Sequence, residues 1–242
     1  MPSVTKASSK TRSPSFVSAF ISSFYDMKSR ISAAPNSRFL SWEYCYKEFS
    51  DAFGRLSSLS NDDYLRLSLY LAFYLASWGM YRGSSFLLQY DYTIHIDAVK
   101  MILQEKYRPL LGIYWNNRAP DYQNLLDLLF ELIDGLKGIY RSLRGPTVTI
   151  DVSDTLITKI LLGTLGCVPA YDKNVKAALS KGKSSRYQFI QAFSRKSLER
   201  LVKFWMDYEA DLSPLTSSIK LKSDPSINYP QMKIVDMALW NL

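Results

Sequence analysis

The chain has 242 residues, with 30 Lys+Arg against 22 Asp+Glu, 47% hydrophobic and 14% aromatic residues. That is ample apolar material for a packed core and excludes a disordered protein. Two cysteines, Cys45 and Cys167, and one histidine, His95, exclude a disulfide framework, a four-thiolate zinc site and a two-histidine metal motif; a metal-free protein without a cofactor, in a reducing compartment, is expected.

Residues Met1–Ser15 are rich in Ser, Thr and Lys, contain no acid and have no apolar middle. They read as a disordered basic tail ahead of one helical domain over 16–242, with a transit peptide as the alternative. No stretch reaches the about eighteen continuous apolar residues of a membrane span; the most apolar, Leu67 to Met80, is shorter and holds Ser68 and Ser77. A soluble protein with no membrane partner is expected.

Asn61-Asp62-Asp63 reads as the N-cap region of a buried helix from Tyr64 to Trp78, with Leu65, Leu69, Ala72, Leu75 and Ala76 on one stripe and Gly79 near its end. The run from Ser77 to Ser85 (SWGMYRGSS) combines aromatics, an arginine, glycines and serines. Helical spacing recurs at Ile96–Leu103, Tyr122–Leu143, Thr155–Leu165, Lys173–Leu179 and Ser197–Tyr208, with Gly135 and Gly138 as candidate kinks or ends of the second of these. Thr147–Val152 alternates like a strand but has no partner and reads as an extended connector. Ser180–Arg186 reads as an exposed loop, Lys220–Tyr229 as irregular, and Met232–Trp240 as a terminal element that packs back. Gly112, Pro120, Gly145-Pro146, Gly166, Pro169, Gly182 and Pro214 punctuate these elements. The class is all-α.

The positive charge is concentrated. Between Lys137 and Lys203 there are thirteen Lys/Arg and four acids (Asp151, Asp154, Asp172 and Glu199), a net of +9, so the rest of the chain nets −1 of the overall +8. A basic segment in a near-neutral chain suits a polyanionic partner, because each neutralised phosphate releases counterions. DNA is the expected partner, bound by a monomer.

The stretch Thr155–Leu179, TLITKILLGTLGCVPAYDKNVKAAL, joins an apolar helix to a short turn and a second helix opened by Asp172. It resembles the core of the helix-hairpin-helix (HhH-GPD) DNA glycosylase superfamily, whose Pro-x-x-Asp-x-Asn/His-Val turn is matched by Pro169, Asp172, Asn174 and Val175. The resemblance covers about 25 residues and implies a two-lobed helical fold with a DNA-binding cleft. It also implies hydrolysis of the N-glycosidic bond of a flipped damaged or modified base, with Asp172 as the catalytic carboxylate. An aspartate directly before a helix is also the ordinary N-cap, and the two roles are compatible. Cleavage passes through an oxocarbenium-like state that a carboxylate stabilises.

The sequence departs from the family in two places. The position of the family's Schiff-base lysine falls at Thr155, which implies a monofunctional enzyme leaving an abasic site; Lys159, one turn on, reads as a surface or phosphate-contacting residue. The glycine-bearing hairpin corresponds to Ile150-Asp151-Val152-Ser153-Asp154, which has no glycine, and the cysteine count excludes the family's iron-sulfur cluster. Arg141, Arg144, Lys159, Lys173, Lys176, Lys181, Lys183 and Arg186 are the candidate DNA-backbone contacts. Tyr171, Trp78, Tyr81, Arg82 and Gln89 are the candidate lining of a pocket for the extruded base. His95 reads as a packed or surface residue, and Trp115, Phe204 and Trp205 as core. A cytoplasmic bacterial enzyme acting on modified phage DNA suits so remote a branch. The alternative is a non-catalytic helical DNA- or RNA-binding protein, and a third possibility is a helical protein-interaction module.

Overall fold

The computed structural model describes residues 15–34, 36–143, 152–183 and 185–242. The basic tail up to residue 14, Arg144, and residues 147–151 of the expected connector and degenerate hairpin lie outside the described residues. Those described form ten α-helices: α1 (Phe16–Ala33), α2 (Leu40–Phe53), α3 (Asn61–Ser77), α4 (Ile96–Ile102), α5 (Tyr122–Leu143), α6 (Asp154–Thr164), α7 (Lys173–Lys181), α8 (Arg195–Asp207), α9 (Glu209–Ser217) and α10 (Gln231–Asn241). Among them the sole β-type pairing is an isolated bridge between Lys220 and Asn228, so the all-α class is correct. No described helix is long and apolar enough to cross a membrane.

Helix α6 is the axis of the fold. Every residue from Leu156 to Thr164 is buried, including Ile157, Ile160 and Leu161, each fully so; burying an aliphatic side chain of this size contributes about 1.5–3 kcal/mol. It packs against α2, α3 and α5, while α10 packs against α1, α7 and α9. The indole N–H of Trp42 in α2 donates to the Leu162 carbonyl at 2.8 Å, and that of Trp115 to the Cys167 carbonyl at 2.7 Å. These two bonds anchor both ends of the segment that precedes Asp172.

Several expectations are corrected. Helix α3 is capped by Ser60, whose hydroxyl accepts the Asp63 N–H while the Asp63 carboxylate accepts the Ser60 N–H, a reciprocal capping box. Its buried face runs through Leu67, Leu71, Ala72, Tyr74 and Leu75; Leu69 is exposed and Leu65 half-buried, because a helix apolar on most sides leaves its stripe to be chosen by its neighbours. Helix α5 runs unbroken through Gly135 and Gly138. A Cβ on Gly135 would lie 2.6 Å from Met101 Sδ, so this glycine serves the crossing with α4 and not a helix end. Pro214 lies inside α9, and α1, α2 and α9 have no counterpart in the sequence reading. Met232–Trp240 does pack back, as α10, with Gln231 through Leu239 all buried.

Candidate functional site

Three helix termini meet at a cleft of about 460 Å³. The end of α3 supplies Trp78, Gly79, Tyr81 and Arg82; α6 supplies Thr155 and Lys159; and the start of α7 supplies Asp172, Lys173 and Asn174. Arg38, just before α2, and Trp240 of α10 complete the wall.

Local chemistry explains why each terminus ends where it does. Gly79 takes φ +75°, and the chain closes with Gly79 N–H donating to the Ala76 carbonyl and Met80 N–H to the Leu75 carbonyl, a Schellman stop that favours glycine. A Cβ on Gly79 would lie 2.6 Å from Arg82 Nε, so the glycine also makes room for the arginine that folds back over the turn. At α7, Asp172 is the N-cap: its Oδ1 accepts the N–H groups of Asn174 at 3.0 Å and Val175 at 3.2 Å. The turn before it is held to α6 by Thr155, which donates to the Tyr171 carbonyl at 2.8 Å, and by Thr158, which accepts the Tyr171 N–H at 2.9 Å.

The second oxygen of Asp172 faces Lys159, with Nζ to Oδ2 3.7 Å, and the Lys159 ammonium donates to the Trp78 carbonyl at 2.8 Å. Lys159 is buried, at 5% exposure, which corrects its reading as a surface lysine: the apolar helix that carries it lies wholly inside the fold. Burial lowers its pKa, against the opposing pull of Asp172 and Asp236. Beneath this pair Asp236 of α10 accepts the Ala170 N–H at 3.0 Å and the Lys233 ammonium at 3.1 Å. Burial raises the Asp236 pKa, Lys233 lowers it and Asp172 raises it further. Two lysines and two aspartates thus share one buried neighbourhood, each cation paired, as desolvated charges require.

The cleft wall is aromatic. Trp78 and Trp240 meet edge to face at 5.9 Å, Phe39 lies 5.6 Å from Trp78, and the Arg38 guanidinium stands 5.2 Å from the Trp78 ring. Four cations, Arg38, Arg82, Lys159 and Lys173, line the cleft with one carboxylate, Asp172. The site therefore favours an electron-rich, anionic or acceptor-bearing occupant. Among the described residues no three His, Cys, Asp or Glu side chains gather as ligands for a metal ion.

Of the expected site residues, the structure brings together Asp172, Trp78, Tyr81, Arg82, Lys159 and Lys173. Tyr171 is not a pocket residue: its ring is fully buried 4.9 Å from Phe193, and it is absent from the cleft wall. Gln89 is exposed at the end of a short 3₁₀ segment, Phe86–Gln89, outside the wall. Lys176 lies along α7 and Lys181 in its last turn, where its ammonium donates to the Leu242 carbonyl. Arg186 is paired with Asp207 at 3.2 Å and rests on the Tyr187 ring. Lys183 borders a different hollow, with Arg200, and Arg141 lies in the last turn of α5. Val152-Ser153-Asp154 does not form a phosphate-binding turn of glycines; Ser153 caps α6, accepting the Leu156 N–H. His95 is packed, at 0% exposure, and Trp115, Phe204 and Trp205 are core. Arg38 and Trp240 were missed, since nothing in local spacing brings residues so distant in sequence to Trp78. Comparison with family models, with curated proteins and with solved structures finds no match.

Proposed function

We propose that the protein is a monofunctional DNA glycosylase of the helix-hairpin-helix type, taking an extruded base into the cleft and hydrolysing its N-glycosidic bond to leave an abasic site. The observation that carries the reading is the division of labour in Asp172: one oxygen caps α7, the other stands in a cation-lined, aromatic-walled cleft. As the sugar–base bond breaks, Oδ2 stabilises the positive charge at the anomeric carbon. The base leaves with the bonding electron pair and takes a proton from solvent, and Oδ2 takes the proton of the water that attacks the anomeric carbon and later returns it to solvent. Trp78 and Trp240 offer π-faces to the base, and Arg38, Arg82 and Lys173 offer charge to the flanking phosphates. A two-lobed fold, a monomeric state, a bacterial cytoplasmic setting and action on modified phage DNA belong to the same proposal.

Asp172→Asn is the test. Asparagine still caps a helix but carries no charge, so base release from modified DNA falls at least about a hundredfold while folding and DNA binding persist. An unchanged rate refutes the mechanism. DNA binding with steep salt dependence but no abasic product from any DNA leaves the non-catalytic binding protein. A second reading rests on Lys159: a buried amine of lowered pKa in the cleft is also a nucleophile in waiting. Attack by its free amine on the anomeric carbon forms a C–N bond as the bond to the base breaks; the nitrogen loses a proton, the C1′–O4′ bond then opens with O4′ taking up a proton, and the resulting protonated imine is trapped by borohydride as a covalent protein–DNA adduct.

A further inference from the structure

Three ring side chains join the cleft to the core in a line. Tyr81, which lines the cleft and is partly exposed, places its hydroxyl 2.8 Å from His95 Nε2, and His95 Nδ1 lies 2.6 Å from the Tyr140 hydroxyl. His95 and Tyr140 are fully buried. Burial lowers the imidazole pKa to about 4, so at pH 7 the ring is neutral and carries one N–H. Burial also raises the Tyr81 pKa to about 12 and that of Tyr140 well above its ordinary value, so both phenols keep their hydrogens.

The line therefore holds three hydrogens for two hydrogen bonds, and one is left over at an end. With the imidazole hydrogen on Nδ1, His95 donates to Tyr140, Tyr81 donates to Nε2, and the surplus is the Tyr140 O–H. That group sits in the core, where the described residues offer it no second partner, and a buried donor without an acceptor costs about 1–3 kcal/mol. With the hydrogen on Nε2 the direction reverses. Tyr140 donates to Nδ1, Nε2–H donates to the Tyr81 oxygen, and the surplus O–H belongs to Tyr81, at the end that meets the cleft.

We infer that the Nε2–H form of His95 makes Tyr81 a hydrogen-bond donor to the occupant of the cleft, so that the site selects a base bearing a carbonyl oxygen over one bearing an amino group at the same position. The base selection rests on the reading of the cleft as a nucleobase site. An amino group facing Tyr81 would leave the surplus O–H unpaired, whereas a carbonyl accepts it. Most of the charged wall is donor: Arg38, Arg82 and Lys173 are donors only, one oxygen of Asp172 is already engaged by two backbone N–H groups, and the acceptors left to the cleft are Asp172 Oδ2 and the Asn174 side chain. Tyr81 is a specificity residue; His95 and Tyr140 are positioning residues that act through it.

Two measurements test this. His95 is the chain's one histidine, so the ring nitrogen shifts of the ¹⁵N-labelled protein report its tautomer without ambiguity, and Nε2–H is expected. Binding is then compared in Asp172→Asn, where the base stays attached, for oligonucleotides of one sequence carrying hypoxanthine or adenine, which differ by a carbonyl and an N1–H against an amino group and a bare N1. The hypoxanthine strand is expected to bind about tenfold more tightly, and adding Tyr81→Phe, which removes one partly exposed hydroxyl, brings the ratio to near one. An Nδ1–H tautomer overturns the donor assignment, and a ratio that Tyr81→Phe leaves unchanged overturns the selection. Failure of both strands to bind removes the nucleobase site and the selection with it, while the tautomer alone still decides whether Tyr81 donates.

Discussion

Lys159 ties the C-terminus of α3 to the N-terminus of α7: its ammonium donates to the Trp78 carbonyl at 2.8 Å and stands 3.7 Å from Asp172 Oδ2. A cation at the carbonyl end of one helix and a carboxylate at the amide end of another each sit where the helix dipole favours them. One buried side chain thus sets the distance between the aromatic wall and the carboxylate.

Replacing that ammonium with a thioether tests the link. Lys159→Met keeps the apolar stem but leaves the Trp78 carbonyl without its donor and Asp172 without its cation. It is expected to cost about 2–4 kcal/mol, measured by urea unfolding, and to slow base release at least about tenfold in the folded fraction.

The two roles of Asp172 separate by substitution. Asp172→Asn keeps the cap but leaves the buried Lys159 ammonium without its carboxylate, an expected cost of about 1–3 kcal/mol, whereas Asp172→Ala loses the cap as well and costs about 1 kcal/mol more. Both abolish the charged oxygen, so both lose base release alike; equal stability of the two variants in thermal unfolding would show that the cap contributes nothing.

His95 makes stability depend on pH in a defined direction. Its folded pKa, lowered by burial to about 4, lies below its ordinary 6.5, so between these values the unfolded chain binds the extra proton. The contribution is complete above about pH 6.5 and is lost as pH falls toward 4, amounting to about 3 kcal/mol. Urea midpoints at pH 7 and pH 4, compared with those of His95→Gln, are expected to show this loss in the parent and not in the variant.

At Gly79 the backbone and the neighbouring side chain make the same demand. Gly79→Ala places a Cβ at φ +75° and against the Arg82 guanidinium, with an expected cost of about 1–2 kcal/mol in thermal unfolding. Weaker DNA binding is expected to accompany it, because Arg82 is pushed from the cleft; unchanged affinity would mean Arg82 has no phosphate to meet.

The helical frame was readable where periodicity and a stop signal coincide. Helix α5 spans Tyr122–Leu143 as expected, and Asp172 caps α7 because a carboxylate before an apolar-periodic run has few other uses. Helices α1 and α2 went unread although both bury long apolar faces, including Phe20, Phe24, Trp42 and Phe49, because serines and aromatics spread through them blur the period. The cleft itself was half legible. The Trp78–Arg82 run and Asp172 each have a local signature, but Arg38 and Trp240 join them only by tertiary packing. Lys159 and Tyr171 were misplaced because a lysine's type suggests exposure and a tyrosine's place beside Asp172 suggests the cleft, whereas the neighbours in space decide both. Tyr171, one residue from Asp172, faces Phe193 instead of the cleft.

Helix α10 carries Trp240 and the Asp236 carboxylate that holds the backbone just ahead of Asp172, and it packs against α1. During synthesis a nascent chain that has emerged through α8 already owns Asp172, Lys159, Trp78 and Tyr81, yet Lys159 and the Asp172 turn have no Asp236 beneath them and the wall lacks an indole. Completion of the cleft is therefore a late, long-range event, closed when α10 reaches back to the helix translated first among those described. A ribosome-stalled fragment ending before α10 would carry the chemical groups of the site without their geometry.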